Sequence, residues 1–272
     1  MKNAVITGAG GVLCSMFARD LAKNGYRVAV LDLNEEAAKK VADEIVKDGG
    51  VAKAYKANVL EKDLLEEVHK NILADFGKCD LLINGAGGNN PKATTTYEYW
   101  KEPDGVEEVK TFFDLDKSGF SFVFDLNIVG TLIPTQVFAK DMLSREGCSI
   151  INISSMNAYR PLTKIPAYSA AKAAVSNLTE WLAVHFAKEG IRVNAIAPGF
   201  FVTGQNKALL FDENGNPTPR TGKILAATPM GRFGKPEELL GCLEWLVDSE
   251  KASFVTGVVI PIDGGFSAYS GV

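Results

Sequence analysis

A chain of 272 residues, 46% hydrophobic and 23% charged, has ordinary globular composition and enough length for one large domain or two small ones. A formal net charge of −4 leaves no basic footprint for nucleic acid or an anionic membrane. No window approaches the run of about 18 apolar residues that a membrane span needs, and Cys14, Cys79, Cys148 and Cys242 lie far apart without C-x-x-C spacing, which argues against zinc and a disulfide framework.

MKNAVITGAG enters a strand-like run directly, without signal-peptide architecture, so reduced thiols and a cytoplasmic setting are expected. VITG (5–8) reads as a buried strand running into a glycine turn, and LCSMFARDLAKNG as the helix after it, with Gly25 as its stop. RVAVLDL (27–33) is a second strand. Asn34 then caps an amphipathic helix with Glu35 and Glu36 in its first turn. VAKAYKANV, EKDLLEEVHKNILADFG and KCDLLING repeat the rhythm of strand, helix, strand. This alternation predicts an α/β fold, with one doubly wound parallel sheet, helices on both faces, and ligands at the carboxyl ends of the strands.

Residues 88–118 interrupt the rhythm with a polar run too long for a plain loop, and read as a functional insertion. A long helical pattern follows, FSFVFDLNIVGTLIPTQVFAKDML, which Pro134 should kink or divide. CSIINISS (148–155) and IRVNAIAPG are further strands, with a helix beginning near Tyr168 between them. FFVTGQNKALLFDENGNPTPRTGKIL, about 200–225, has the composition of a lid over a site. KPEELLGCLEWLVDSE is a short helix and FVTGVVIPIDGG closes with a last strand. No repeat or linker divides the chain, so residues 1–272 are expected to form one domain. His69 and His185 fall on helical patterns and read as structural.

The chemistry gathers in SMNAYRPLTKIPAYSAAK (155–172). Tyr168 and Lys172 stand at i and i+4 of a helical run and so share a face. A phenol is a poor base at neutral pH, but a nearby cation favours its ionised form and lets it exchange a proton with a substrate hydroxyl. Alone, the pair reads as an amphipathic tyrosine and a solvated lysine, and it is the motifs around it that favour chemistry. TGAGG, at the end of the first strand, is a turn whose backbone N–H groups and helix dipole suit a pyrophosphate. Asp32, ending the second strand about 24 residues after Gly8, suits the ribose hydroxyls of a dinucleotide and repels a 2′-phosphate. Leu33 provides no cation for such a phosphate, so NAD is expected rather than NADP.

With these motifs in view, the chain resembles the classical short-chain dehydrogenases/reductases over essentially its whole length. TGAGGVLC is similar to the family's T-G-x-x-x-G-x-G turn. Gly8 matches the first glycine, Val12 and Cys14 stand in place of the other two, and Gly10, Gly11 and Leu13 lie on the same turn. Asn58-Val59 takes the place of an Asp-Val pair that meets adenine. NGAG is similar to N-N-A-G, with Gly85 for the second asparagine, and implies cofactor contacts at Asn84, Ala86 and Gly87. Asn127, Ser155, Tyr168 and Lys172 match the catalytic tetrad, with Tyr168 and Lys172 also meeting the cofactor. Pro198 and Gly199 match the Pro-Gly segment, whose Thr203 is implied to bind the nicotinamide amide. The order 3-2-1-4-5-6-7, a Rossmann-type sheet of about seven strands and a homotetramer built through the two long helices and the C-terminal segment are implied likewise.

The resemblance further implies proton transfer by Tyr168, hydride transfer to nicotinamide, oxygen stabilisation by Ser155 and a water relay near Asn127. For substrate, Asn89, Asn90, Asn157, Arg160 and Lys164 surround the tetrad in sequence and suit an anionic, hydroxyl-rich ligand, although Arg160 and Lys164 also read as solvated loop charges. Several strings, INGAGGNNPKATT and NAYRPLTKIPAYSAAKAAV among them, are similar to the branch that interconverts D-mannonate and D-fructuronate. A gluconate 5-dehydrogenase, a 3-oxoacyl-carrier-protein reductase and a non-catalytic NAD-binding regulator are the alternatives.

Overall fold

The computed structural model describes residues 1–105, 108–202 and 210–271. Seven strands, β1 (Asn3–Thr7), β2 (Arg27–Asp32), β3 (Val51–Lys56), β4 (Leu81–Asn84), β5 (Ser149–Ile153), β6 (Arg192–Pro198) and β7 (Val259–Ile262), make one parallel sheet in the order β3-β2-β1-β4-β5-β6-β7. This is the predicted order. Thr7 pairs with Leu31 on one side and Asn84 on the other, so β1, β2 and β4 end almost level. The chain reverses its direction of travel across the sheet between β1 and β4, and their carboxyl ends open a crevice there.

Alternate strand residues feed two separate cores. Ile6, Val28 and Val30 pack with Phe17 and Leu21 of α1 (Val12–Lys23), Val41 and Ile45 of α2 (Glu35–Lys47), and Leu243 and Leu246 of α8 (Leu240–Val247). Val5, Ala29 and Leu82 pack on the other face with Leu65 and Ile72 of α3 (Lys62–Asp75), Val137 and Phe138 of α5 (Gly130–Phe138), and Leu182 of α6 (Pro166–Phe186). Burial on both faces explains why β1 is buried at all five positions rather than alternating. Asn34 caps α2 as expected, accepting the Ala37 N–H at 3.1 Å.

The long helix behind the site divides, though not at Pro134. The α4 run (Lys117–Phe124) widens into a π-helical turn at Asp125–Val129 before α5 begins at Gly130, and Pro134 lies inside α5. Proline has no N–H to give the Gly130 carbonyl four residues back, and its ring crowds that carbonyl, so the wide turn just upstream absorbs the misfit. The span Lys117–Met142 is long and apolar enough to cross a membrane by length and composition alone, although charged residues interrupt it. Its Val123, Val137 and Phe138 are buried within the fold, which is how a core helix reaches the same composition.

The described residues of 88–118 form an arm that includes two short 3₁₀ turns, Pro91–Ala93 and Phe112–Asp114. The arm seats on α4 at Gly119, where a Cβ would stand 2.7 Å from Lys92 Cβ. Its Thr95 N–H donates to the Lys164 carbonyl at 2.9 Å, and its Glu98 pairs at 2.8 Å with Lys223 of α7 (Pro219–Ala226). The predicted lid therefore contains a helix. Residues 203–209 of the lid, Thr203 among them, lie outside the described residues.

Candidate active site

The crevice at the β1–β4 reversal opens into a cavity of about 690 Å³, lined from Asp32 at one end to Tyr168 and Lys172 at the other. Its floor is the glycine turn after β1. Gly11 caps α1 with extended backbone and no side chain, so the first N–H groups of α1 keep their free valence. Gly8 has φ of 64°, and a Cβ there would stand 2.9 Å from the backbone of Ala86, so only glycine allows the turn to lie against the end of β4. Asp32 holds the turn from the side. One carboxylate oxygen accepts the Gly10 N–H and the other the Asn34 N–H, both at 2.9 Å.

The other end of the cavity is built by β5 and the head of α6. Ser155 caps the 3₁₀ turn Met156–Ala158, and its Oγ accepts the Asn157 N–H at 3.2 Å. Tyr168 is half-buried and hydrogen-bonded to Ser155. One turn later, Lys172 is buried and its Nζ donates to the Ile153 carbonyl at 2.8 Å. That Nζ lies 5.6 Å from the centre of the Tyr168 ring, so the two side chains share the face that their spacing predicts.

Their electrostatics differ from the expectation in one respect. Burial pushes the Tyr168 phenol above its ordinary value, and the Ser155 hydrogen bond only partly offsets this. Lys172 is therefore not the dominant influence on the tyrosine within the protein alone. The same burial pushes the Lys172 ammonium down to about 8, with Cys14 acting weakly in the opposite sense. Desolvation penalises the charged form of each group and so drives their two proton affinities apart, the phenol's up and the ammonium's down.

Asn127 sits on the π-helical turn, fully buried, and acts on backbone. Its amide donates to the carbonyls of Gly88 at 2.8 Å and Val123 at 2.7 Å and accepts the Gly88 N–H at 3.3 Å. A Cβ at Gly87 would stand 2.7 Å from Asn127 Oδ1 and 3.0 Å from Lys172 Nζ. The absent side chain lets asparagine, lysine and the end of β4 meet.

A profile of the short chain dehydrogenase family matches residues 2–214. The chain belongs to the short-chain dehydrogenase family. A relative from Haemophilus influenzae, described as an uncharacterized oxidoreductase, is 65% identical over all of this dehydrogenase and 95% of its own length. One from Bacillus subtilis, the uncharacterized oxidoreductase UxuB, is 54% identical over all of this chain and 96% of its own. A crystal structure from Haemophilus influenzae with NAD bound, provisionally described as a D-mannonate oxidoreductase, superposes with a TM-score of 0.96. It is 65% identical, covering all of this dehydrogenase and 96% of the other chain.

Of the residues that the sequence singles out for cofactor, Gly8, Gly10, Gly11, Val12, Leu13, Asp32, Asn58, Val59, Ala86, Gly87, Tyr168, Lys172, Pro198 and Gly199 line the cavity of this dehydrogenase. Asn84 does not. Strand alternation turns its amide the other way, onto Thr135 Oγ1 at 3.0 Å and Asn152 Oδ1 at 2.9 Å. Asn58 lines the cavity but also starts α3, accepting the Leu60 N–H and donating to Glu61.

The substrate candidates separate further. Asn89 bonds Thr94, and Asn90 caps the turn at Pro91, so both shape the arm. Arg160 gives its Nε to the Ser267 carbonyl and pins the C-terminal segment over the 155–165 loop. Lys164 has φ of 73°, a left-handed conformation that costs a side-chain-bearing residue energy, and its carbonyl is held by Thr95. Asn157 is buried beside Ser155. Sequence reasoning missed Cys14, Gly85, Leu126 and Ser154 among the lining residues. Cys14 and Gly85 had a signal, since each departs from the family motif.

Proposed function

We propose that this chain is an NAD(H)-dependent oxidoreductase that interconverts a secondary alcohol and a ketone on a sugar acid, D-mannonate and D-fructuronate being the pair that best suits it. The observation that carries the reading is Tyr168 beside a buried Lys172 on one helix face, with Ser155 lining the same cavity whose other end is a carboxylate. The glycine turn and the head of α1 would hold the pyrophosphate, and Asp32 has lone pairs left for ribose hydroxyls. Bound there, NAD supplies the hydride acceptor of the oxidation and the donor of the reverse reaction.

The protein's own part is proton handling and positioning. Tyr168 takes the hydroxyl proton in oxidation and returns it in reduction. Ser155 receives a hydrogen bond from Asn157, which orients its hydroxyl, and it would turn its own proton to the substrate oxygen as charge develops there. Lys172, pushed down to about 8, exchanges its proton readily near neutral pH and can pass one onward from Tyr168. Asn127 keeps the backbone at Gly88 in register with Lys172 and is a positioning residue.

The sugar-acid assignment draws on the provisional description of the NAD-bound relative and on two cations, Arg160 and Lys164, on the loop between Ser155 and Tyr168. Arg160, with its Nε tied to Ser267, retains two NH₂ groups for a carboxylate, and Lys164 sits on the loop that the arm grips. A single cytoplasmic domain working as a homotetramer completes the reading. NADH oxidation against D-fructuronate, 5-keto-D-gluconate and an acetoacetyl thioester tests it. Fructuronate should give the highest kcat/KM. No turnover on any keto sugar acid, with NADH still bound, would discard the substrate class and leave the cofactor assignment standing.

A further inference from the structure

Two departures from the family pattern, Cys14 on α1 and Gly85 after β4, meet at one point in space. A Cβ on Gly85 would stand 2.1 Å from Cys14 Sγ and 3.5 Å from Cys14 Cβ. Non-bonded atoms do not approach to 2.1 Å, and Cys14 is buried with a single side-chain torsion, so the thiol has little room to swing aside. The end of β4 cannot retreat either, because Thr7 Oγ1 accepts the N–H groups of Gly85 at 3.1 Å and Ala86 at 3.3 Å. The thiol and the missing side chain therefore compete for one volume. That volume lies in the wall of the dinucleotide cavity, which Cys14, Gly85 and Ala86 all line.

We propose that Cys14 and Gly85 form a co-dependent positioning pair for the dinucleotide: the thiol fills from α1 the space that a side chain at 85 would fill from β4, and each residue is tolerated only because of the other. The proposal rests on the NAD(H) reading above. It makes two independent-looking changes in the binding motifs a single exchange across the cavity wall. With the thiol removed, a Cβ at 85 would meet only the Thr7 carbonyl oxygen as a close neighbour, at 2.9 Å. Real Cβ atoms do not come that close to backbone, so the Thr7 carbonyl or the new side chain must still give way slightly and the rescue should be incomplete.

A double-mutant cycle on the full chain tests this, with NADH affinity read by fluorescence titration without substrate, and thermal melting read alongside. Gly85→Ala should weaken NADH binding by about tenfold or more, and Cys14→Gly by a few-fold. Cys14→Ser, which keeps the volume, should stay within about twofold of the parent. The double variant Cys14→Gly/Gly85→Ala should bind within about threefold of the parent, far better than the product of the single losses. If Gly85→Ala does not fold, recovery of soluble, NADH-binding double variant is the supporting result. Parent-like NADH binding by Gly85→Ala, additive losses, or a double variant no better than the worse single one would overturn the pairing. Should the parent itself fail to bind NADH, the cofactor reading falls, and the same cycle in melting temperature decides the pairing.

Discussion

At the scale of single residues, one physical conflict dominates: the two groups proposed to handle protons sit where their charged forms are penalised. Tyr168 is pushed up and Lys172 down to about 8 by the same desolvation. Replacement of Tyr168 by Phe should lower kcat by about a thousandfold or more, since it deletes the proton carrier, while the NADH dissociation constant stays within about threefold. Parent-like turnover would remove Tyr168 from the mechanism. Lys172 carries a stability prediction of definite sign. A lysine whose folded value is about 8 binds fewer protons in the fold than in the unfolded chain, where the value is 10.5. Its contribution is therefore fully present above 10.5 and is lost as pH falls through about 8. Lys172→Met keeps the volume and removes the charge, so at pH 7 it should be inactive yet more stable than the parent by about 1–2 kcal/mol, after allowing for the lost bond to Ile153. Chemical denaturation at pH 7 and pH 10 checks this: the advantage should shrink at the higher pH, and a constant difference would show that Lys172 does not titrate there.

At the scale of elements, the arm 88–118 is the departure from the plain strand–helix rhythm, and its attachment rests on close approach. Asn127 clamps its root at Gly88, Gly119 lets it lie against α4, and Thr95 ties it to Lys164. Gly119→Val would drive a branched side chain into Lys92, whose Cβ would be 2.7 Å from the new Cβ and whose backbone would be 2.9 Å away. The expected cost is about 1–3 kcal/mol, concentrated at the arm. Limited proteolysis should then cut within 88–118 faster than elsewhere, and KM for the keto acid should rise more than kcat falls. Unchanged cleavage would show that the arm is held by other contacts. The arm's position as an interruption was legible in its composition, but its grip on the 155–165 loop was not. Thr95 and Lys164 are ordinary in sequence, and only the path of the chain brings an N–H of one to the carbonyl of the other. The π-helical turn was equally hidden, because Pro134 announces a misfit without saying which neighbouring turn will absorb it.

At the scale of the whole molecule, α6 leaves Trp181 57% and Val184 80% exposed, large apolar area for a helix that also carries Tyr168 and Lys172. In the proposed tetramer this surface is covered. Trp181→Glu with Val184→Glu should therefore reduce the mass seen by light scattering to that of a smaller assembly, without unfolding the chain. A parent that already runs as a monomer would withdraw the tetramer.

Sequence alone determined the alternation of strands and helices, the strand order through family resemblance, the shared face of Tyr168 and Lys172, and more than half of the cavity lining. Each of these follows from local periodicity or from short motifs, in which the residues that act together are close in the chain. Tertiary structure alone decided the direction in which Asn84 faces, the restraint of Arg160 by Ser267, the net rise in the proton affinity of Tyr168, and the meeting of Cys14 with Gly85. Those depend on burial and on contacts between residues far apart in the chain, and neither quantity exists until the sheet has brought its strands together.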